Sequence, residues 1–333
     1  MEKPLVSIIV PLYNKAAHVT LCLESLAAQT LQDIEIIVVD DGSTDDSGRV
    51  AQEFCENDSR FTYLKQANAG VSSALNRGIA QAQGKYIARV DADDWVDRAM
   101  FEVLYQTTIE HAAPHVRCGY WREYEDGKSR KLLVSHSVEE RDGTWCFAEL
   151  FGKVSIPFMT TCAALYDRQV LHDCAITYPE ELTNLEDILF NARFYALDTP
   201  VVLIPESLYH YRETSDSLSQ KPRIDLPEQL GIFEIFMQRE VLDQHPDLVR
   251  YYEHYRAIAF LTSTADMSEF GVDGMVALRQ SAMFDALMGA SDQSRYPRSL
   301  RLLLRLLDSE RFNAAASYSR RLRDMRALRR ALR

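Results

Sequence analysis

The sequence predicts an α/β fold: a mostly parallel β-sheet flanked by helices, followed by a helical C-terminal region. Two observations carry this. Over about the first ninety residues, short apolar runs alternate with helix-spaced apolar residues as β-α-β-α-β-α-β, joined by short connections. Parallel strands linked by helical crossovers are what such alternation builds. From about Leu226 onward, strand signals and Gly become sparse and the chain reads as helices. A boundary near Pro222 therefore divides residues 1–222 from residues 223–333.

Leu5-Val6-Ser7-Ile8-Ile9-Val10 is a near-continuous apolar run, as expected of a strand buried on both faces. Pro11-Leu12-Tyr13-Asn14 breaks it, and Val19, Cys22, Leu23 and Leu26 then recur at helical spacing. Ile34 to Val39 is a second buried run ending in Asp40-Asp41-Gly42-Ser43-Thr44-Asp45. Val50, Ala51 and Phe54 mark the next helix, and Phe61 to Leu64 a weaker strand. Val71, Ala74, Leu75, Ile79 and Ala82 mark a third helix, before the strand Tyr86 to Val90. Beyond it, Met100, Leu104 and Thr108 suggest another helix. Val116–Tyr124 and Lys131–Val134 read as strands, and Val201–Ile204 as a strand stopped by Pro205.

At 333 residues the chain is long enough for about two domains. Its net charge of -12 is uneven: from Arg295 onward twelve Arg face three acids, a net of +9, which leaves -21 on the rest. An acidic body argues against nucleic acid as a partner, and a basic tail argues for a local anionic one. Six scattered Cys without a C-x-x-C point to buried thiols in a reducing compartment. Met1-Glu2-Lys3-Pro4 leads straight into a strand, so no signal peptide is expected, and no apolar run reaches membrane-span length. A cytoplasmic protein follows, peripheral at most at the inner face of the membrane.

Asp91-Ala92-Asp93-Asp94 carries the chemistry. Three carboxylates at a strand end repel one another, and a cation with phosphates on its far side would relieve that. The alternative is a solvated turn capping the next helix. Asp40-Asp41-Gly42-Ser43 ends another parallel strand on the same sheet edge, where ligands of α/β folds bind. Its carboxylates can accept from a nucleobase N–H, while Ser43 or Thr44 can cap a helix. Tyr13, at the end of the first strand, can stack on a base or pack internally.

Pro11-Leu12-Tyr13-Asn14, Asp40 to Asp45, Asn68-Ala69-Gly70, Asn76-Arg77-Gly78-Ile79, Gly84-Lys85-Tyr86 and Asp91 to Asp94 follow one another in that order. The set resembles the signature of family 2 glycosyltransferases, which have the GT-A fold, strongly over residues 4–100 and more weakly over 150–220. The resemblance implies a nucleotide diphosphate-sugar donor, most often uridine-linked. It implies that Asp41 contacts the uracil, that Pro11 and Tyr13 line the base pocket, and that Asp91 approaches the ribose. Asp93 would ligate Mn²⁺ or Mg²⁺ at the diphosphate, and Asp94 would cap the next helix.

Asn184-Leu185-Glu186-Asp187 resembles the family's Glu-Asp pair ahead of an apolar helix. It implies Asp187 as the base of an inverting transfer and Glu186 as its neighbour or an acceptor contact. Acids favoured at a helix N-terminus are the plainer reading. Tyr209-His210-Tyr211-Arg212 and Ser215-Asp216-Ser217 resemble a later family segment, implying diphosphate pairing by Arg212 and a metal or phosphate contact by His210. His210 packed between two Tyr is the alternative. Where many members carry Asn-Lys-Leu-Tyr, this chain has Ala163-Ala164-Leu165-Tyr166, so no acceptor-contacting Lys carries over. Tyr318, Leu322, Met325, Leu328 and Leu332 among Arg residues describe a basic amphipathic helix suited to an anionic membrane surface and a glycan or lipid-linked acceptor; a helix packed on the catalytic domain with a solvated Arg face is the alternative. Leu300, Leu303, Leu304 and Leu307 give an apolar face just before it. The competing functions are a nucleotidyltransferase of related fold, although Pro11-Leu12-Tyr13-Asn14-Lys15 is not Gly-rich, and a non-catalytic nucleotide-sugar-binding scaffold.

Overall fold

The computed structural model describes residues 3–152, 156–213, 225–267, 271–289 and 298–320. The chain divides into two compact units, one of residues 1–150 and 154–215, the other of residues 151–153 and 216–333. Pro222, Ser215-Asp216-Ser217 and the basic segment 321–333 lie outside the described residues.

The first unit opens with the expected alternation: β1 (Val6–Leu12), α1 (Val19–Ala27), β2 (Ile34–Asp40), α2 (Ser47–Asn57), β3 (Phe61–Lys65), α3 (Val71–Gln81) and β4 (Tyr86–Arg89). β1 pairs in parallel with β2 and β4, and β2 with β3. Val6, Ile8, Val10 and Leu12 enter one buried cluster, while Ile9, Ile37 and Val39 are buried as well. Burial of both faces is why these strands read as apolar runs instead of alternating.

The remainder of this unit is β5 (Trp95–Val96), α4 (Met100–Glu110), β6 (His115–Tyr124), β7 (Ser129–Leu132), β8 (Glu139–Arg141), α5 (Gly143–Phe147), α6 (Ile156–Met159), β9 (Ala164–Asp167), α7 (Arg168–Asp173), α8 (Glu186–Ala196) and β10 (Val201–Glu213). The sheet runs β3-β2-β1-β4-β9-β6-β10-β5, with β7 on β6 and β8 on β10. β9 is antiparallel to both β4 and β6, so the sheet is mixed but mostly parallel. The two-residue β5 and three-residue β8 are too short to read from sequence, and β9 is not among the expected strands. One expectation is corrected: Pro205 does not stop its strand. The β6–β10 register shifts between Leu203 and Ser207. At such an irregularity the missing Pro N–H breaks no ladder bond. The strand therefore continues and carries Tyr209, His210 and Arg212 back to the acidic loop.

β4 enters the sheet at Gly84, whose N–H donates to Ser7 Oγ (2.8 Å) and Glu35 Oε1 (3.1 Å). A Cβ there would lie 2.6 Å from the Ser7 backbone nitrogen. Backbone cannot give way as a flexible side chain does, so Gly84→Ala should cost about 1–3 kcal/mol of stability. Urea unfolding of the variant measures this; an unchanged midpoint would contradict the close approach.

The second unit contains α9 (Leu226–Phe236), α10 (Val249–Met267), α11 (Gly271–Arg279), α12 (Ala282–Gly289), α13 (Arg298–Asp308) and a helix over 312–320. Glu234 is buried but paired: it accepts from Tyr252 Oη (2.6 Å) and from Arg256 (2.5 Å). Leu303, Leu304 and Leu307 are buried, while Leu302 is exposed beside Arg301 and Arg305. Among the described residues no helix is long and apolar enough to cross a membrane.

Candidate active site

Three loops meet at the carboxyl ends of β1, β2 and β4, and they are tied to one another. Asn14 adopts a left-handed backbone (φ 51°) and accepts the Thr44 N–H at 2.9 Å. The Asn14 N–H donates to Ser43 Oγ (3.1 Å) and the Lys15 N–H to Ser47 Oγ (2.8 Å). Tyr13 is 47% exposed at this rim, so it is not the packed aromatic of the alternative reading. Pro11, within β1, lies partly buried below it.

Asp41 is buried and already engaged. It accepts from Ala69 N–H and Gly70 N–H, each at 2.9 Å, and from Gln66 Nε2 at 2.8 Å. It thereby fastens the segment before α3, where Gly70 takes φ 92°. A carboxylate offers about four lone-pair positions, so about one remains for a ligand.

In the acidic loop the three carboxylates have separate partners. Asp91 takes Arg89 in a two-nitrogen grip at 2.6 and 3.2 Å. Asp93 pairs with the Lys15 ammonium and keeps its side chain 23% exposed. Asp94 does not cap α4, which starts at Met100 without a side-chain cap. It accepts Tyr209 Oη at 2.6 Å and the Arg212 N–H at 2.8 Å. Burial and the neighbouring Asp91 and Asp93 charges push the Asp94 carboxyl well above the usual carboxylate range. Asp94 thus anchors β10 to the loop, a role hidden while β10 was expected to end at Pro205.

That anchor brings Arg212 to the site. Its Nε donates to the Asp93 carbonyl (2.9 Å), and its guanidinium lies 4.8 Å from the Trp95 ring centre. Lys15 and His18 stand nearby: burial, Arg212 and Lys15 lower the His18 pKa, while Asp93 raises it. His210 is placed differently. Its ring stacks on Trp95, and its nitrogens face Glu123 (2.8 Å) and Asp97 (3.4 Å), not Asp93. The structure therefore does not bring His210 together with Asp93.

Asp93 suits a hard divalent cation: it is a partly exposed carboxylate that already faces a positive charge. Among the described residues no three His, Cys, Asp or Glu side chains form a ready cage. One or two carboxylates plus substrate phosphates are the usual setting for Mg²⁺.

The Glu186-Asp187 pair opens α8, where the helix dipole favours acids. Leu185 precedes it with φ 70°. Asp187 accepts from Arg89 Nη1 (2.5 Å), Thr161 Oγ1 (3.2 Å) and the Thr161 N–H (3.3 Å). Tyr178 Oη donates to the same Thr161 hydroxyl at 2.8 Å. Burial, then the Asp187 charge, pushes Glu186 up to about 7, against the opposing pull of Arg89. The stability Glu186 lends is lost as pH rises from its ordinary 4.5 to about 7.

Behind Asp187, Arg117 is fully buried and organises the approach to Thr161. It donates to the carbonyls of Pro157 (2.5 Å) and Thr160 (2.6 Å) and to Tyr166 and Tyr195 hydroxyls. Cys162-Ala163-Ala164-Leu165-Tyr166 is buried, which explains why a long acceptor-contacting side chain has no place there. Sequence reasoning missed Lys15, Arg89, Arg117, Thr161 and Tyr178. Arg89 left a signal: a charge inside the apolar run Tyr86–Val90 must find partners.

Residues 7–174 match the model of the family described as "Glycosyl transferase family 2". A relative from Bacillus subtilis (strain 168), "Uncharacterized glycosyltransferase EpsJ", is 33% identical over 257 residues, covering 76% of this chain and 71% of its own. The structure of S. aureus TarS 1-349 in complex with UDP-GlcNAc superposes with a TM-score of 0.70 at 18% identity, over 96% of this chain and 92% of its own. Mannosyltransferase PcManGT from Pyrobaculum calidifontis, in complex with GDP-Man and Mn²⁺, gives 0.52 at 16% identity, over 96% and 86%. Both share this GT-A-like arrangement of a mixed sheet flanked by helices. The matched segment contains the three loops at the carboxyl ends of β1, β2 and β4, and the chain belongs to glycosyl transferase family 2.

Proposed function

We propose that this glycosyltransferase moves a sugar from a nucleotide diphosphate-sugar, UDP-linked by preference, to a hydroxyl of a glycan or lipid-linked acceptor, with inversion. Cell-surface polysaccharide or glycolipid synthesis is the setting. One observation carries the reading: Asp91, two residues from Arg89, and Asp187, 98 residues from it, converge on its one guanidinium. This supports a reading in which donor loop and base act in one site. Family membership removes the nucleotidyltransferase alternative.

Asp41, Pro11 and Tyr13 would receive the base, and Asp91 the ribose. Arg212 and Lys15 would face the diphosphate. Asp93 would hold Mn²⁺ or Mg²⁺, which when bound supplies charge neutralisation on the leaving diphosphate. Asp187 takes the acceptor hydroxyl proton as that oxygen bonds to the anomeric carbon. The bond from that carbon to the diphosphate breaks on the opposite face, and UDP leaves with its electron pair. The complex of TarS with UDP-GlcNAc and that of PcManGT with GDP-Man and Mn²⁺ support this assignment on a shared fold. The Arg-rich C-terminal sequence supports an anionic membrane surface as the place where a lipid-linked acceptor is met.

Incubating the protein with Mn²⁺ and a panel of nucleotide sugars should release UDP slowly from at least one UDP-sugar, with water as acceptor. No release from any uridine- or deoxythymidine-linked sugar, with none bound, would overturn the reading.

A further inference from the structure

Arg89 is the last residue of β4, 9% exposed, in a run that is otherwise apolar. A buried guanidinium needs one counter-charge, and Asp91, two residues along, already supplies it through Nε (2.6 Å) and Nη2 (3.2 Å). The third nitrogen is used elsewhere. Nη1 reaches Asp187 Oδ1 at 2.5 Å and Thr161 Oγ1 at 3.3 Å. The Tyr178 ring lies under the same group, 6.0 Å from its carbon, with its hydroxyl on Thr161.

We infer that Arg89 is a positioning residue: its planar fork fixes the proposed base Asp187 relative to the donor-side carboxylate Asp91. This rests on the transfer reading above. A pair made only for charge balance would be complete with Asp91. The fork instead spans two loops that otherwise belong to different halves of the reaction, donor and acceptor. Its three nitrogens point in fixed directions, which an ammonium on a flexible stem cannot reproduce. A base displaced by about 1 Å can cost about a hundredfold in rate.

The charge has a second consequence. Glu186 faces Asp187, Arg89 and Asp91, and Arg89 alone among them lowers its pKa. Removing the cation should therefore move the acid limb of the acceptor kcat/KM profile to higher pH, whereas Lys at this position should leave that limb in place.

The test compares Arg89→Lys and Arg89→Met in the full-length protein, with thermal unfolding as a control. The substrate is the UDP-sugar that the wild type consumes. Arg89→Lys keeps the buried charge balanced, so it decides the matter even where Arg89→Met does not fold. Arg89→Lys should lower kcat by about a hundredfold, with the donor KM within about threefold of wild type. Arg89→Met should lose at least as much and shift the acid limb upward. A folded Arg89→Lys enzyme with kcat within about threefold of wild type would overturn the inference. So would a folded Arg89→Met enzyme whose acid limb does not move. An inactive wild type would instead sink the transfer reading and the inference with it, so the two failures are distinct.

Discussion

Asp187→Asn is expected to reduce transfer by about a thousandfold, within the range of general-base removal, while donor affinity stays within about threefold of wild type. The amide oxygen of Asn can still accept from Arg89 and Thr161, which hold the carboxylate now. The bond from the Thr161 N–H to the second carboxylate oxygen (3.3 Å) is lost with the proton acceptor, while the Arg89 contact keeps the side chain in place. The same change removes a negative neighbour from Glu186, whose pKa should fall back from about 7. Glu186→Gln should act on the acceptor KM more than on kcat. Rates and donor binding measured side by side check this. A full transfer rate in Asp187→Asn would remove that residue from the mechanism.

Asp93→Ala is the second large effect. Asp93 is a partly exposed loop acid, and its present partner is the Lys15 ammonium. Without the carboxylate, Lys15 would be left near Arg212 and His18 with nothing to hold a divalent ion. UDP binding in the presence of Mn²⁺ should weaken by about a hundredfold, or about 2.7 kcal/mol. Adding Mn²⁺ should no longer improve it. An Asp93→Ala variant that keeps its response to Mn²⁺ would place the ion elsewhere.

The three loops proposed to receive the donor were legible in sequence because each follows its strand directly. Val6 to Leu12 and Ile34 to Asp40 are buried on both faces, and the acids stand at the ends of β2 and β4. The Glu186-Asp187 pair was found through the resemblance. Its surroundings were not legible, because each partner lies far along the chain: Arg89 98 residues from Asp187, Arg117 43 from Thr160. No local periodicity encodes such pairing. Ending β10 at Pro205 hid the bonds from Tyr209 and Arg212 to Asp94, which read as a cap. His210 was assigned through the resemblance, and the continued strand turns it onto Trp95, Glu123 and Asp97.

Titration calorimetry of the wild type with uridine- and deoxythymidine-linked sugars, with and without Mn²⁺, tests the nucleotide-sugar site most directly. The expected result is saturable binding of a UDP-sugar that Mn²⁺ strengthens and Asp93→Ala makes indifferent to Mn²⁺. Absence of binding to every one of these sugars, with and without the metal, would contradict it.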